Sequence, residues 1–188
     1  PICSEPLAIV AFSFGSLVAV MLAVKRGEVT RMVLLGPAGH GGVRRPRGEL
    51  RPWRGQEIGS PSWHEVMRHN LLMHMIYQDV NADALAVHIH SDACIQTRFH
   101  SKSLSRAGRL PALLAHYQGP LLLIWGEHDV TAIPDQVAEI LTAGRTRCEF
   151  EVVEGVGHWV QYEAAFHVND RVQTWLTASF PNTLNQSM

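Results

Sequence analysis

Three residues that could act as a nucleophile, an acid and a base, Ser13, Asp129 and His158, each follow a short apolar run of the chain. A serine hydroxyl is a poor nucleophile at neutral pH unless a base within hydrogen-bond reach takes its proton. His158 would be that base, and Asp129 would hold its imidazole in the correct tautomer and stabilise its cation. The order Ser…Asp…His is the one associated with a nucleophile elbow, so these residues predict a catalytic triad.

The segment around Ser13 matches most of the G-x-S-x-G elbow pattern, with Ala11 in place of the first glycine and Gly15 as the second. An apolar run precedes the serine and a helical pattern follows it, so the turn would push Ser13 Oγ out above the edge of a sheet. The start of a helix behind the serine also favours developing negative charge.

Each member of the predicted triad has a plainer interpretation. Ser13 could cap the following helix, Asp129 could cap the next turn, and His158 could be an ordinary loop histidine. Glu127, two residues before Asp129, could be the acid instead. These alternatives stay open for the single residues, whereas three such residues in this order favour the triad.

The elements that must position these residues are read from the apolar runs. A strand at 7–11, a helix at 16–25 and a strand at 32–35 form a βαβ unit, which predicts a parallel pair. The pattern resumes with strands at 121–125 and 148–153, a helix at 135–142 and a last helix at 163–178. On that last helix, one face is predicted to be buried and comprises Phe166, Val172, Trp175 and Leu176. Because ligands bind at the carboxyl ends of the strands in open α/β sheets, the three residues are expected to meet there.

The stretch between the second and third strands has helical spacing and no strand pattern. Trp63, Met67 and Leu71 recur at helical intervals, and a second helix is expected from Asn81 towards Phe99. We therefore predict an α/β core at residues 1–38 and 109–180, a helical cap at 39–108 and a disordered tail at 181–188.

The chain resembles the α/β-hydrolase superfamily over nearly its whole length. The resemblance rests on Ala11-Phe12-Ser13-Phe14-Gly15-Ser16, Ile124-Trp125-Gly126-Glu127-His128-Asp129 and Gly157-His158-Trp159-Val160-Gln161-Tyr162-Glu163. It implies an α/β-hydrolase fold, a mostly parallel sheet with a helical cap insertion. The implied activity is that of a serine hydrolase without a cofactor, in which the backbone N–H of Phe14 and a second donor hold the oxyanion.

Within the superfamily, the last of these motifs is most similar to meta-cleavage-product hydrolases, which hydrolyse a C–C bond in ring-fission products of aromatic catabolism. That resemblance implies a small hydrophobic carbonyl substrate and a cap arginine that holds a substrate carboxylate, for which Arg98 is the candidate. Phe12, Phe14 and Trp159 flank the triad and would form an apolar pocket wall, and ordinary packing under the cap is an equal alternative for Trp159. The chain departs from that family at Ala11, Phe12 and Ser16, where the family favours glycine, asparagine and glycine. A carboxylesterase or lactonase, and a non-catalytic member that binds a small ligand, are the alternatives.

The resemblance also gives an expectation about the start of the chain. The elbow normally follows the fifth strand of this fold, whereas here it lies at Ser13, and each strand–crossover–strand unit takes about 30 residues. We expect the N-terminal strands, on the order of 90 residues or more, and the second oxyanion donor to lie outside this chain.

Composition excludes several other classes of function. The chain has 188 residues, a net charge of −1 and only a short basic run at Arg44–Arg47, so nucleic acid is an unexpected partner. No apolar stretch nears the ~20 residues of a membrane helix. Three scattered cysteines fit reduced thiols better than a disulfide framework, which favours a cytoplasmic location. The expected partner is a small-molecule substrate, and a homo-oligomer is left open.

Two histidine patterns suggest other sites. His64, His69, His74, His88 and His90 lack cysteine or acidic partners at ligand spacing, so we interpret them as solvated helix positions and predict no metal. His40-Gly41-Gly42 resembles an oxyanion motif, but that motif precedes an elbow and here it follows. We therefore interpret it as a flexible entry to the cap.

Overall fold

A four-stranded sheet forms the centre of the structure, a computed structural model that describes residues 5–178. Its strands, in spatial order, are Leu7–Phe12 (β1), Val29–Leu35 (β2), Leu121–Gly126 (β3) and Cys148–Val153 (β4). All neighbouring strands are parallel, with Val10 opposite Val33 and Leu34 opposite Leu123. The predicted α/β class and the predicted parallel sheet are confirmed.

Eight helices and one short 3₁₀ turn connect or follow these strands within the described residues. They are Phe14–Arg26 (α1), Pro61–His74 (α2), the 3₁₀ turn Asp79–Asn81, Ala84–Gln96 (α3), Lys102–Arg106 (α4), Leu110–Leu114 (α5), Pro134–Thr142 (α6), Val160–Glu163 (α7) and Ala165–Thr177 (α8). Helix α1 ends at Gly27, whose φ of 81° is the left-handed conformation that glycine adopts at little cost.

The sheet is covered on both faces, which explains why its central strands are apolar throughout. On β2, Met32 and Leu34 pack with helices α1, α5 and α6, whereas Val33 and Leu35 pack on the other face with α7 and α8. Strand β3 is buried along its whole length. These two layers hold the carboxyl ends of the strands in fixed positions.

Helices α2 and α3 form a separate apolar cluster above this sheet. Its buried members include Trp63, Met67, Leu71 and Ala86, and Trp159 packs against it from the segment that follows β4. Residues 36–120, between β2 and β3, contain helices and no strand. Helix α5 belongs instead to the core beside α1. The predicted division into a core and a helical cap at 39–108 stays a prediction.

The predicted last helix differs from the structure in two respects. The helix is interrupted at Ala164, so this segment forms α7 and α8 instead of one helix. Phe166, predicted to be buried, is 89% exposed, whereas Val168 and Trp175 are buried. The reason is angular: two residues span about 200° of helix, so Phe166 lies opposite Val168.

Several expectations concern the chain's environment or its ends. No helix of residues 5–178 is long and apolar enough to cross a membrane. Cys94 and Cys148 are free thiols. Cys3 and the predicted tail at 181–188 lie outside the described residues.

Candidate active site

Ser13 lies in a strained turn between β1 and α1. Its φ of 50° makes it the one non-glycine residue with positive φ among residues 5–178, and its ψ is −121°. The surrounding backbone holds this conformation: Ser13 N–H donates to Leu35 O at 2.9 Å, and Ser13 O accepts from Ser16 N–H and Ala38 N–H. Such strain persists only where the structure over-determines it, and it is the geometry of a nucleophile elbow.

The residues that replace the elbow glycines fit the turn. Ala11 packs against the core, and the buried Ser16 hydroxyl donates to Ala11 O at 3.4 Å, which ties the helix start to the strand end. A Cβ at Gly15 would meet no atom within 4 Å among the described residues. Within this part of the chain, Gly15 therefore has open space where a side chain would begin.

The structure brings Ser13, Asp129 and His158 together at the carboxyl end of the sheet. His158 Nε2 lies 2.9 Å from Ser13 Oγ, and His158 Nδ1 lies 2.8 Å from Asp129 Oδ2. Because a carboxylate only accepts, Nδ1 carries the hydrogen, and Nε2 is left to accept from the serine hydroxyl. Asp129 and His158 are both buried. The arrangement can remove a proton from Ser13.

The charge on Asp129 is stabilised although the residue is buried. Burial alone would raise its pKa, but attraction to His158 and hydrogen bonds from His158 and Thr131 outweigh burial and lower the pKa of Asp129. Thr131 N–H donates to Asp129 Oδ1 at 2.7 Å, and Thr131 Oγ1 lies 3.4 Å from His158 Nδ1. Sequence reasoning missed Thr131, although its position two residues after the acid is typical of an Asx turn.

Glu127, the alternative acid, faces another way. Its carboxylate accepts from Gly155 N–H at 2.9 Å and lies 3.4 Å from His128 Nε2. The structure therefore places Asp129, and not Glu127, against His158.

The sequence matches one known protein family over most of its length. A model of the alpha/beta hydrolase family matches residues 2–168. The chain belongs to the alpha/beta hydrolase family.

Several hydrolases of known structure share this family's fold with the chain. A meta-cleavage product hydrolase from Pseudomonas fluorescens IP01 is 23% identical, with a TM-score of 0.63 over 92% of this chain and 65% of that one. A 2-hydroxy-6-oxo-6-phenylhexa-2,4-dienoate hydrolase from Rhodococcus sp. strain RHA1 is 18% identical, with a TM-score of 0.62 over 93% and 65%. A carboxylesterase from Bacillus subtilis is 18% identical, with a TM-score of 0.64 over 94% and 61%.

These similarities show the fold alone, and the chain spans less than two thirds of the length of each of these three hydrolases. A search among curated proteins finds no match.

A glycine of this alpha/beta hydrolase makes room for the acid–histidine pair. Gly36 directly follows β2 and has a φ of +48°. A Cβ there would lie 2.9 Å from His158 Nδ1 and 3.1 Å from Asp129 Oδ2. Any side chain at this position would displace one of the two groups. The sequence marks Gly36 only as a break after a strand.

The aromatic residues beside Ser13 take different places. The Phe12 ring lies 4.8 Å from the His158 ring, where it can form an apolar wall. Phe14 is the first residue of α1, and the first N–H groups of a helix have no acceptor within the helix. The Phe14 ring lies 5.6 Å from that of Phe99. The roles of Phe12 and Phe14 stay predictions.

Among residues 5–178, the described ring contacts and side-chain hydrogen bonds of the other two substrate-binding candidates, Trp159 and Arg98, do not reach Ser13, Asp129 or the His158 ring. The Trp159 ring packs against the apolar cluster of α2 and α3, and its centroid lies 6.4 Å from that of the His90 ring and 5.8 Å from that of the Tyr162 ring. Arg98 is exposed in the segment between α3 and α4. No hydrogen bond or ion pair described for residues 5–178 joins Arg98 to the three central residues. Its role as a carboxylate anchor also stays a prediction.

A histidine of α2, His74, lies beside the catalytic candidate His158. The two rings are nearly parallel, at 9°, with centroids 6.4 Å apart. Burial, and then the neighbouring His158, Arg47 and His90, lower the pKa of His74 to about 4. His74 also lines a cavity of about 450 Å³ with Trp53, Met75 and His90. At neutral pH it presents an uncharged imidazole beside the site.

The prediction of solvated helix histidines is wrong for His74 and His90, which are half-buried and buried, although His64 and His88 are exposed. The sequence does contain a signal for the burial of His74, because this residue continues the helical spacing of Met67 and Leu71 on the buried face of α2. Among residues 5–178, no group of three or more His, Cys, Asp or Glu side chains could hold a metal ion.

The entry to the cap is fixed at His40, so its interpretation as a flexible segment is wrong. His40 is buried, with Nε2 3.0 Å from Thr131 O, and Gly42 N–H donates to His40 Nδ1 at 2.9 Å. These bonds set the tautomer with hydrogen on Nε2. His40 therefore supports the same Thr131 that donates to Asp129.

His74 should make the stability of the protein depend on pH. Its pKa in the folded state, about 4, lies below the ordinary 6.5, so between these values only the unfolded state binds the proton. Stability is then full above pH 6.5 and falls as the pH falls towards 4, by about 2 kcal/mol between pH 7 and pH 5. Denaturant unfolding of the full-length protein at both pH values should show this loss shrink in His74→Phe.

The matched control is His64→Phe, which replaces an exposed histidine of the same helix. Burial also lowers the pKa values of His40 and His90, so these residues also make the free energy of unfolding depend on pH. The test is therefore the difference between the pH slopes of the wild type and His74→Phe. Equal pH slopes in the wild type and His74→Phe would contradict the prediction.

Proposed function

We propose that the chain acts as a serine hydrolase on a small hydrophobic carbonyl substrate through Ser13, His158 and Asp129. One observation carries the proposal: the 2.9 Å and 2.8 Å contacts that join Ser13 Oγ, the His158 ring and Asp129 Oδ2. A non-catalytic binder would have no need of all three groups, nor of the strain at Ser13.

In the proposed reaction, Ser13 Oγ attacks the substrate carbonyl while its proton moves to His158 Nε2. Asp129 stabilises the imidazolium that forms. Because the pair is buried, this interaction is stronger than it would be in water. His158 then returns the proton to the leaving group, and in the second half it deprotonates the water that releases the product.

The negative charge of the tetrahedral intermediate needs donors near Ser13. The N–H of Phe14 is the first of these, and the 13-residue helix α1 begins there, so the positive end of its dipole adds to the effect. A second donor would share the charge with it. Removal of one such donor costs about 3–4 kcal/mol of transition-state stabilisation.

Two classes of substrate fit the same three residues. The Phe12 ring beside His158 supports an apolar group near the carbonyl, and this favours small hydrophobic esters. A vinylogous 1,5-diketone would instead be protonated to its keto form before its C–C bond is hydrolysed, and would place its carboxylate on Arg98. Structural neighbours of both kinds, a carboxylesterase and meta-cleavage product hydrolases, support keeping both substrate classes in the assay.

The nucleophile and the base should each be essential. Ser13→Ala in the full-length protein should lower kcat by a factor on the order of 10⁶, and His158→Ala by a similar factor, because the two act as a unit. Steady-state kinetics on p-nitrophenyl esters and on ring-fission dienoates, side by side, measure this and identify the substrate class. Ser103→Ala, at an exposed serine of α4, is the control. Losses below tenfold for both variants would contradict the triad.

The two candidate acids, Asp129 and Glu127, should differ in their effects on kcat. Asp129→Asn should fold but lose about four orders of magnitude in kcat, because the amide favours the wrong histidine tautomer. Glu127→Gln should have little effect, since an amide oxygen can still accept from Gly155 N–H. Kinetics of the two variants beside the wild type test this, and the reverse ranking would identify Glu127 as the acid.

A further inference from the structure

The carboxylate of Glu163 accepts hydrogen bonds from three backbone N–H groups. Gly157 N–H donates to Oε2 at 2.6 Å, Gln78 N–H donates to Oε1 at 2.9 Å, and Tyr77 N–H lies 3.1 Å from both oxygens. Asn81 Nδ2 lies 3.4 Å from Oε1. Hydrogen bonds to an ionised acceptor are roughly twice as strong as neutral ones, so Glu163 joins the segments that these residues belong to.

The two segments are the histidine loop, residues 154–159 after β4, and the cap turn, residues 75–78 after α2. Two further hydrogen bonds link them: Trp159 N–H donates to Met75 O at 2.7 Å, and Gln78 Nε2 donates to Gly155 O at 2.7 Å. The N–H groups on both sides of His158, those of Gly157 and Trp159, are therefore bound. Neither bond involves the His158 ring itself.

Gly157 allows this close contact. A Cβ at Gly157 would lie 2.8 Å from Tyr77 N and 3.0 Å from Met75 O. On the other side of the loop, a Cβ at Gly126 would lie 2.1 Å from Gly157 O. The histidine loop is thus packed between the end of β3 and the cap turn. The carboxylate of Glu163 binds the histidine loop to the cap turn.

We propose that Glu163 is a positioning residue that holds His158 in line with Ser13 by binding the histidine loop to the cap turn. The inference rests on the proposed function, since it concerns the same histidine. Without the carboxylate, three N–H groups lose their common acceptor and the loop can shift. A misplacement of about 1 Å can cost on the order of 100-fold in rate.

Glu163→Gln tests the proposal, because it turns one acceptor oxygen into an amide that faces N–H groups. We expect kcat of the full-length protein to fall about 100-fold while KM changes little. Glu163→Asp keeps both oxygens on a shorter side chain and should give a smaller loss, which supplies a second variant should the first not fold. The matched control is Glu154→Gln, an exposed carboxylate of the same loop, which should retain kcat.

A double-mutant comparison separates positioning from a purely structural role. If Glu163 acts through His158, Glu163→Gln should cost almost nothing more in a His158→Ala background. A lower melting temperature with unchanged kcat per folded protein would overturn the proposal, as would an undiminished loss of kcat in the His158→Ala background. A wild-type rate for His158→Ala would overturn the proposed function and this inference together, whereas a silent Glu163→Gln beside an impaired His158→Ala would overturn this inference alone.

Discussion

The imidazole of His158 makes two hydrogen bonds at once, and the rest of the site is arranged around that requirement. Its partners are Asp129, 29 residues away, and Ser13, 145 residues away. Each of the three residues follows a different strand of one parallel sheet, so the register of that sheet brings them to one edge. Both faces of the sheet are buried against helices, which fixes the strand ends.

A buried carboxylate is costly unless it is paired and hydrogen-bonded. At Asp129 the pairing comes from His158 and the hydrogen bond from Thr131, whose carbonyl is in turn bound by His40. Gly36 leaves the space that the pair occupies. The negative charge of Asp129, which would stabilise an imidazolium at His158, is thus supported by residues from three separate segments of the chain.

The elements that place the site were predictable because their signals are local. Apolar runs bounded by polar turns gave all four strands within a few residues, and the order of Ser13, Asp129 and His158 along the chain gave the candidates. Helical periodicity does not reveal the interruption of the last helix at Ala164. The prediction therefore places Phe166 on the buried face, whereas the structure leaves it exposed.

The residues that support His158 were harder to predict, since their contacts join distant parts of the sequence. Glu163 binds N–H groups of residues 85 and 86 positions earlier, and a backbone donor leaves no mark in the amino-acid sequence. The spacing of His74 places it on the buried face of α2, but its contact with His158 depends on how α2 packs over the sheet.

Reaction with a fluorophosphonate tests the central claim, an activated Ser13, most directly. Peptide mapping of the labelled full-length protein should find one adduct, on Ser13, formed about 100-fold or more faster than in His158→Ala because the general base is then absent. Labelling of another serine, or a labelling rate at Ser13 that is the same without His158, would contradict the account.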